Sequence, residues 1–532
     1  MSASNSSRKP APISFAASQY FDGNDGKWSS FVVRAGTPGQ SFRVLPSTVT
    51  SETFLPLAGA CKEDAPDNCT FLRGAEMYKG KANNGFQVRN SSTWHEIGIY
   101  GTTAREELGY NASGLYGLDT LGLMIVNSGG PTLESQVIGG VVNPRLWVGR
   151  LGMDVKPSNF SEFENPQRSM ISTLKEEQYI PSLSYGYTAG AYYKKPNAFG
   201  GLTFGGYDQT RFIPNTISFP FDANDSRKPS LNIQAIVTRD MQNQTVSVFP
   251  DGPAYSLIDF AESQIWLPVS ACDAFARAFN LTYDNSTDLY VVDSHTHALL
   301  IERNPSITFG LGQTANPGER INIVLPYSAF DQQASYPIYQ NTTNYFPIRR
   351  AQNETQYTLG RTFFQEAYIR VDYERNNFSV HQALFPATNE RQQIVPIWSP
   401  GLENAATGAR AKLINTSKGA VAVWLFRRRK MAKERSEPKT ENTWVECADQ
   451  PRLEADGVIF FEKDGRPFAE MEGHVFPELH CPPPEMGELN VRITTADVSS
   501  MFQLYEMGDN ERNCGELGVV VPEKRCPPPG WI

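Results

Sequence analysis

The chain has 532 residues, 40% of them hydrophobic, and a formal net charge of −9. That length allows more than one domain and a sizeable core, and the acidic balance excludes the basic footprint of a nucleic-acid binder. The charge is uneven, since residues 431–532 carry 20 Asp and Glu against 10 Lys and Arg, which leaves the rest of the chain close to neutral.

Residues 1–27 read as an N-terminal extension; they contain no apolar core that would serve as a signal peptide. Residues 28–395 read as many short strands. Apolar alternations such as "WSSFVVRAG", "QTVSVFPDG" and "ALLIERNPSITFG" are separated by Gly, Pro, Asn and Asp clusters. Helical spacing is clear in "PVSACDAFARAFNL", placed after an Asp or Ser cap. The prediction is an all-β fold with a few short helices. Two stretches roughly 210 residues apart echo each other, "SFRVLPSTVTSETFLP" and "AYSLIDFAESQIWLP". Each is followed far downstream by an apolar-Gly signal, Leu151–Gly152 in "GRLGM" and Leu359–Gly360 in "YTLGRTFF". This predicts two similar lobes, each pairing a turn with a later Gly-bearing strand.

Cys61 and Cys69 bracket "CKEDAPDNC" and predict a local disulfide, whereas Cys272 has no nearby partner. The tail cysteines, Cys447, Cys481, Cys514 and Cys526, fit no zinc spacing. His295 and His297 in "SHTH" read as a loop with no third ligand, and no metal or other cofactor is expected. "FGLGQTA" matches a Gly-x-Gly-x-x-Ala dinucleotide fingerprint, but no helical pattern follows it.

Residues 396–418 lose the strand pattern and read as a stalk, and the acidic, Pro-rich residues 431–532 read as mostly disordered. Between them, 419–430 ("GAVAVWLFRRRK") resembles the cytoplasmic end of a membrane span. Its apolar run has only seven residues where a span needs about 20, so the reading is a span truncated in this sequence. Asn-x-Ser/Thr sequons at Asn5, Asn68, Asn90, Asn111, Asn159, Asn224, Asn243, Asn280, Asn285, Asn341, Asn353, Asn377 and Asn415 stop where that segment begins. The expectation is a glycosylated, extracellular or cell-surface region before it.

Ordered motifs from about Trp28 to Phe385 resemble the pepsin-like aspartic peptidases, in particular the fungal membrane-anchored type. They are "RAGTPGQSFRVL", "GGLTFGGYDQTRF", "NPSITFGLG…INIVLPYSAF" and "LGRTFFQEAYIRVDYERNNFSV", the last matching at Leu359, Gly360, Phe363, Asp372 and Asn376. The resemblance implies a bilobal double barrel, with an N-lobe at about 28–214 and a C-lobe at about 215–395. It also implies a monomer and a cleft for extended peptides. Family catalysis uses two Asp carboxylates, one per lobe, that share a proton; one activates water and the other polarises the peptide carbonyl.

The resemblance places Asp259 on the second Asp and Ser47 on the first, with Thr48 retained. Phe260 replaces the second turn's Thr or Ser, which halves the hydroxyls that buttress the pair. Val49 and Ala261 add side chains where glycine lets the backbone approach. Glu52 and Glu262 are the nearest carboxylates, and the tolerance of catalytic geometry argues against rescue by either. Tyr110 is the candidate for the Tyr that overhangs the cleft. A member that has lost proteolysis and retains a peptide cleft is the leading expectation. An active acid endopeptidase with an atypical site and a purely structural cell-surface glycoprotein are the alternatives.

Overall fold

Three large sheets carry the chain, and the alternation seen in the sequence explains each. The structure, a computed structural model, describes residues 9–402 apart from 103–104, 111, 161–163, 223–228, 317 and 388–389. The stalk from 403, the span-like 419–430, the tail 431–532 and the sequons at Asn5, Asn111, Asn224 and Asn415 lie outside the described residues.

In the first lobe, Trp28–Ala35 pairs antiparallel with Gln40–Ser47, Phe31 opposite Val44. Phe31, Val33, Ala35, Phe42 and Val44 enter one buried core, as period-two apolar residues on paired strands should. These strands belong to an eight-stranded sheet. A second eight-stranded sheet builds the other lobe around Ser230–Arg239 and Ser306–Gly312. A six-stranded sheet joins both lobes, in the order Ile13–Phe15, Ala198–Phe204, Ser184–Ala191, Ala367–Asp372, Asn377–Gln382 and Phe219–Pro220.

The internal echo is structural. Gln40–Ser47 runs parallel to Gly149–Gly152, with Ser47 opposite Gly152. Ala254–Ile258 runs parallel to Thr358–Leu359, with Ile258 opposite Leu359. Each downstream glycine is required by close approach. A Cβ on Gly152 would lie 2.5 Å from the Ser51 carbonyl carbon, and one on Gly360 would lie 2.2 Å from the Gln264 carbonyl oxygen.

Several expectations need correction. Residues 1–27 are not wholly an appendage: Ile13–Phe15 pairs with Ala198–Phe204, and Ala17–Asp22 pairs with Trp28–Ala35. Their apolar side chains Phe15, Ile13 and Ala17 join the core, which holds the segment in place. At the other end, Ile394–Pro396 pairs with Gly206–Asp208, and Ile397 and Ser399 donate to Gly205 and Pro181, so domain contacts run past 395. His295 and His297 open the helix Ser294–Arg303 instead of a loop, because Asp293 accepts from the His295 and Thr296 amides as an N-cap. The helix Val269–Phe279 forms as predicted, but follows Pro268 directly with no side-chain cap.

Cys61 and Cys69 are bonded. Cys272 is free and buried on the Val269–Phe279 helix, and burial pushes its thiol up to about 12. Among the described sequons, Asn68, Asn90, Asn159, Asn243, Asn280, Asn285, Asn341 and Asn353 are exposed, while Asn377 is half-buried. Among the described residues no helix is long and apolar enough to cross a membrane.

Candidate functional site

The two echoing turns meet between the lobes. Ser47 ends its strand fully buried, and its Oγ has no hydrogen-bond partner among the described residues. The next residue reaches across: Thr48 Oγ1 donates to the Ile258 carbonyl at 2.7 Å and lies 3.3 Å from Asp259 Oδ1. The reciprocal hydroxyl is absent, since Phe260 turns into an aromatic cluster with Tyr187 and Phe364 at centroid distances of 4.2 and 4.8 Å. One side of this junction is therefore hydrogen-bonded and the other is packed.

Asp259 is also fully buried. Its Oδ1 accepts from the Ala261 amide at 2.9 Å. The backbone approach expected to suffer from a side chain at 261 therefore survives, because a single methyl group leaves the amide free to reach the carboxylate. Oδ2 faces Arg105 Nη1 at 3.4 Å, and Arg105 Nη2 donates to Thr358 Oγ1 at 2.9 Å.

Arg105 comes from the tip of the hairpin formed by His95–Gly101 and Ser113–Leu123, the element expected to overhang the cleft. The short turn Glu106–Leu108 follows it. Leu108 and Tyr110 pack with Trp266, Ala351 and Tyr357 of the second lobe, and the Gln356 side chain donates to the Glu107 carbonyl. The hairpin tip thus bridges the lobes and covers Asp259. Burial lowers the proton affinity of the Arg105 guanidinium, but Asp259, Glu107 and Glu262 outweigh it, and the net shift is upward.

Tyr110 sits beside this contact and points into the cleft, where its hydroxyl donates to Glu262 Oε2 at 2.7 Å. Burial raises both groups, so the phenol keeps its proton and the Glu262 carboxyl is held above the usual range. Asp259 adds to the Glu262 shift, while Arg150, Arg105 and the Tyr110 hydroxyl oppose it. Arg150 Nη2 lies 3.6 Å from Glu262 Oε1. Glu52, the other carboxylate considered for rescue, is turned away and accepts from Ser158 Oγ at 2.7 Å.

Sequence reasoning missed the arginines. Arg150 precedes Leu151–Gly152 and Arg361 follows Leu359–Gly360, so each echoing strand delivers one guanidinium to the junction. Arg361 Nη1 bridges the Phe260 and Ala261 carbonyls at 2.7 and 2.6 Å. The signal was present in "GRLG" and "LGRTFF", where a charge sits within one buried strand and just after the other. No cluster of His, Cys, Asp and Glu among the described residues could hold a metal ion.

A family model for the eukaryotic aspartyl protease matches residues 31–383. The chain belongs to the eukaryotic aspartyl protease family. No curated protein matches it. The two lobes of this aspartyl protease homologue, their parallel strand pairs and their meeting turns are the architecture the resemblance implied. Members of the family bind peptide substrates and are typically secreted or extracellular.

Proposed function

We propose that this chain is a proteolytically silent aspartyl protease homologue that works at the cell surface by binding rather than by cleavage. The observation that carries the reading is the Arg105–Asp259 pair beside Ser47. Peptide hydrolysis in this fold needs two carboxylates close enough to share one proton. Ser47 stands at the first of those positions, and a hydroxyl neither ionises nor shares a proton in the working range. Asp259, at the second, is paired with the Arg105 guanidinium at 3.4 Å. Both Asp259 oxygens are engaged, Oδ2 by Arg105 and Oδ1 by the Thr48 hydroxyl and the Ala261 amide, where a hydrolase would hold its attacking water. Val49 and Phe260 depart from the same turns.

The exposed sequons support a glycosylated extracellular domain, and the basic run after Phe426 supports a tether to the membrane. A second reading, a structural glycoprotein with a permanently closed cleft, draws on one observation: the hairpin tip is packed on Trp266 and Tyr357. Thermal shift with a peptide library separates the two, since a binder is stabilised by ligand and a closed scaffold is not.

The catalytic question is decided with purified protein and a fluorogenic peptide library at pH 3–5. The expected rate equals that of the Asp259→Asn variant. Turnover ten-fold above that variant and blocked by an aspartic-protease inhibitor would overturn the reading and restore the active-endopeptidase alternative.

A further inference from the structure

The arginines that line the junction leave one small cavity unaccounted for. It has a volume of about 30 Å³ and lies between Leu146–Val148, with the flanking Arg145 and Arg150, and Ala261, Ser263 and Arg361 of the other lobe; Tyr110 also lines it. One water needs about 10–15 Å³, so the space suits a small polyatomic group. Three guanidiniums line it, and Asp25 is the only carboxylate on its wall among the described residues.

Asp25 is already committed. Its Oδ1 accepts from Trp28 Nε1 at 2.8 Å and lies 3.8 Å from Arg361 Nη2, and its Oδ2 accepts from Ser263 Oγ at 2.5 Å. The arginines are not fully committed. Arg150 Nη1 and Arg361 Nε are buried and have no hydrogen-bond partner among the described residues. Glu262, behind Arg150, does not supply the missing bonds: its Oε2 is taken by Tyr110, and its Oε1 is also without a hydrogen bond. A buried N–H left unpaired is costly, and a charged one more so. The group that answers such donors is a planar anion with two acceptor oxygens. Trp147, Leu146 and Val148 add an apolar wall for a short stem behind it.

We propose that this cavity is a binding site for a single carboxylate, supplied by a small free acid or by the C-terminus of a peptide entering the cleft. Arg150 and Arg361 supply the buried donors. Arg145 is exposed, lines the same cavity and ties itself to the hairpin tip through the Gly109 carbonyl at 2.7 Å, so it guards the approach. The site lies beside Asp259 but does not use it, and its occupancy is independent of whether the chain cleaves peptides.

The test uses the full-length protein at pH 7 and constant ionic strength, set with a bulky sulfonate salt. Melting temperature and calorimetric binding are measured with acetate and propionate, and with short peptides bearing a free C-terminus. The matching neutral amides serve as controls. The expected result is a saturable rise in Tm with at least one acid and none with its amide. Acetate and propionate acting alone identify a free acid; peptides acting alone identify a chain terminus. Arg150→Gln is expected to weaken binding at least ten-fold. Arg145→Ala, at an exposed position that leaves folding intact, is expected to weaken it several-fold. Acids no better than their amides would show that the cavity holds only water and would sink the proposal, as would unchanged affinity in both arginine variants. Hydrolysis is read in a separate assay, so either conclusion can fail without the other.

Discussion

Asp259 is buried against the Arg105 guanidinium, and the energetics of that pair are specific. Two buried charges interact strongly, yet taking both out of water costs nearly as much as the attraction returns. Removing one member is different, because the survivor is left buried and uncompensated. Arg105→Met is therefore expected to destabilise the domain by about 3–5 kcal/mol, read as a lower urea midpoint at pH 7. A change below about 1 kcal/mol, the range of exposed pairs, would mean that Arg105 swings out into solvent and that the pair is not a fixed part of the site. The same logic explains why this contact was not legible beforehand. Arg105 and Asp259 are 154 positions apart, and nothing in the spacing of either residue names the other. The expectation at Ser47 rests on neighbours that can be seen locally, since Thr48, Phe54 and Pro56 keep the turn's pattern. A departure within a motif leaves a local trace, whereas a distant partner leaves none.

At the level of elements, the parallel strand pairs depend on two glycines. At Gly360 a Cβ would overlap the Gln264 and Glu262 carbonyls, at 2.2 and 2.6 Å, and backbone cannot move aside as a side-chain tip can. Gly360→Ala is expected to cost about 3 kcal/mol, the upper end of the range typical of overpacking. Gly401→Ala, where nothing lies within 4 Å, should be close to neutral in the same denaturation assay. Equal effects at the two sites would refute the steric account. Elements of this kind were readable because a period of two and an apolar-Gly ending are local signals. The helix at Ser294–Arg303 was missed for the converse reason: Asp293 caps it, but its two early histidines and few buried positions, Thr296 and Leu300, give little helical periodicity.

A second prediction at this scale concerns the strand Asn377–Gln382. His381 is buried there against the Phe212 ring at 4.5 Å, and burial, assisted by the Arg370 charge, lowers its pKa to about 4. The unfolded chain, with histidine near 6.5, binds more protons than the folded one between those values, so stability rises with pH across that window. The contribution is complete above pH 6.5 and is lost as pH falls through about 4, amounting to roughly 3 kcal/mol at most. Urea midpoints at pH 7 and pH 4.5 should diverge in the wild type and converge in His381→Gln. An unchanged pH slope in the variant would assign the dependence elsewhere.

Across the whole molecule, the duplicated lobes were legible and the joining of the chain's beginning to its core was not. Ile13–Phe15 and Ala17–Asp22 are too short and too polar in their surroundings to stand out, and their pairing is with Ala198–Phe204, far away in the chain, and with the following strand Trp28–Ala35. The closing segment behaves alike. If the chain is held at a membrane beyond residue 402, any pull on it arrives first at Ser399 and Ile397, which donate to the Pro181 and Gly205 carbonyls. Load then passes to Ile394–Pro396, which clips onto Gly206–Asp208 through three residue pairs, before it reaches the sheet that spans both lobes. A three-residue clasp yields before a six-stranded sheet does. Under the proposed membrane tether the closing segment is a mechanical fuse, able to let out a few residues of slack under tension while the lobes and the junction between them stay intact.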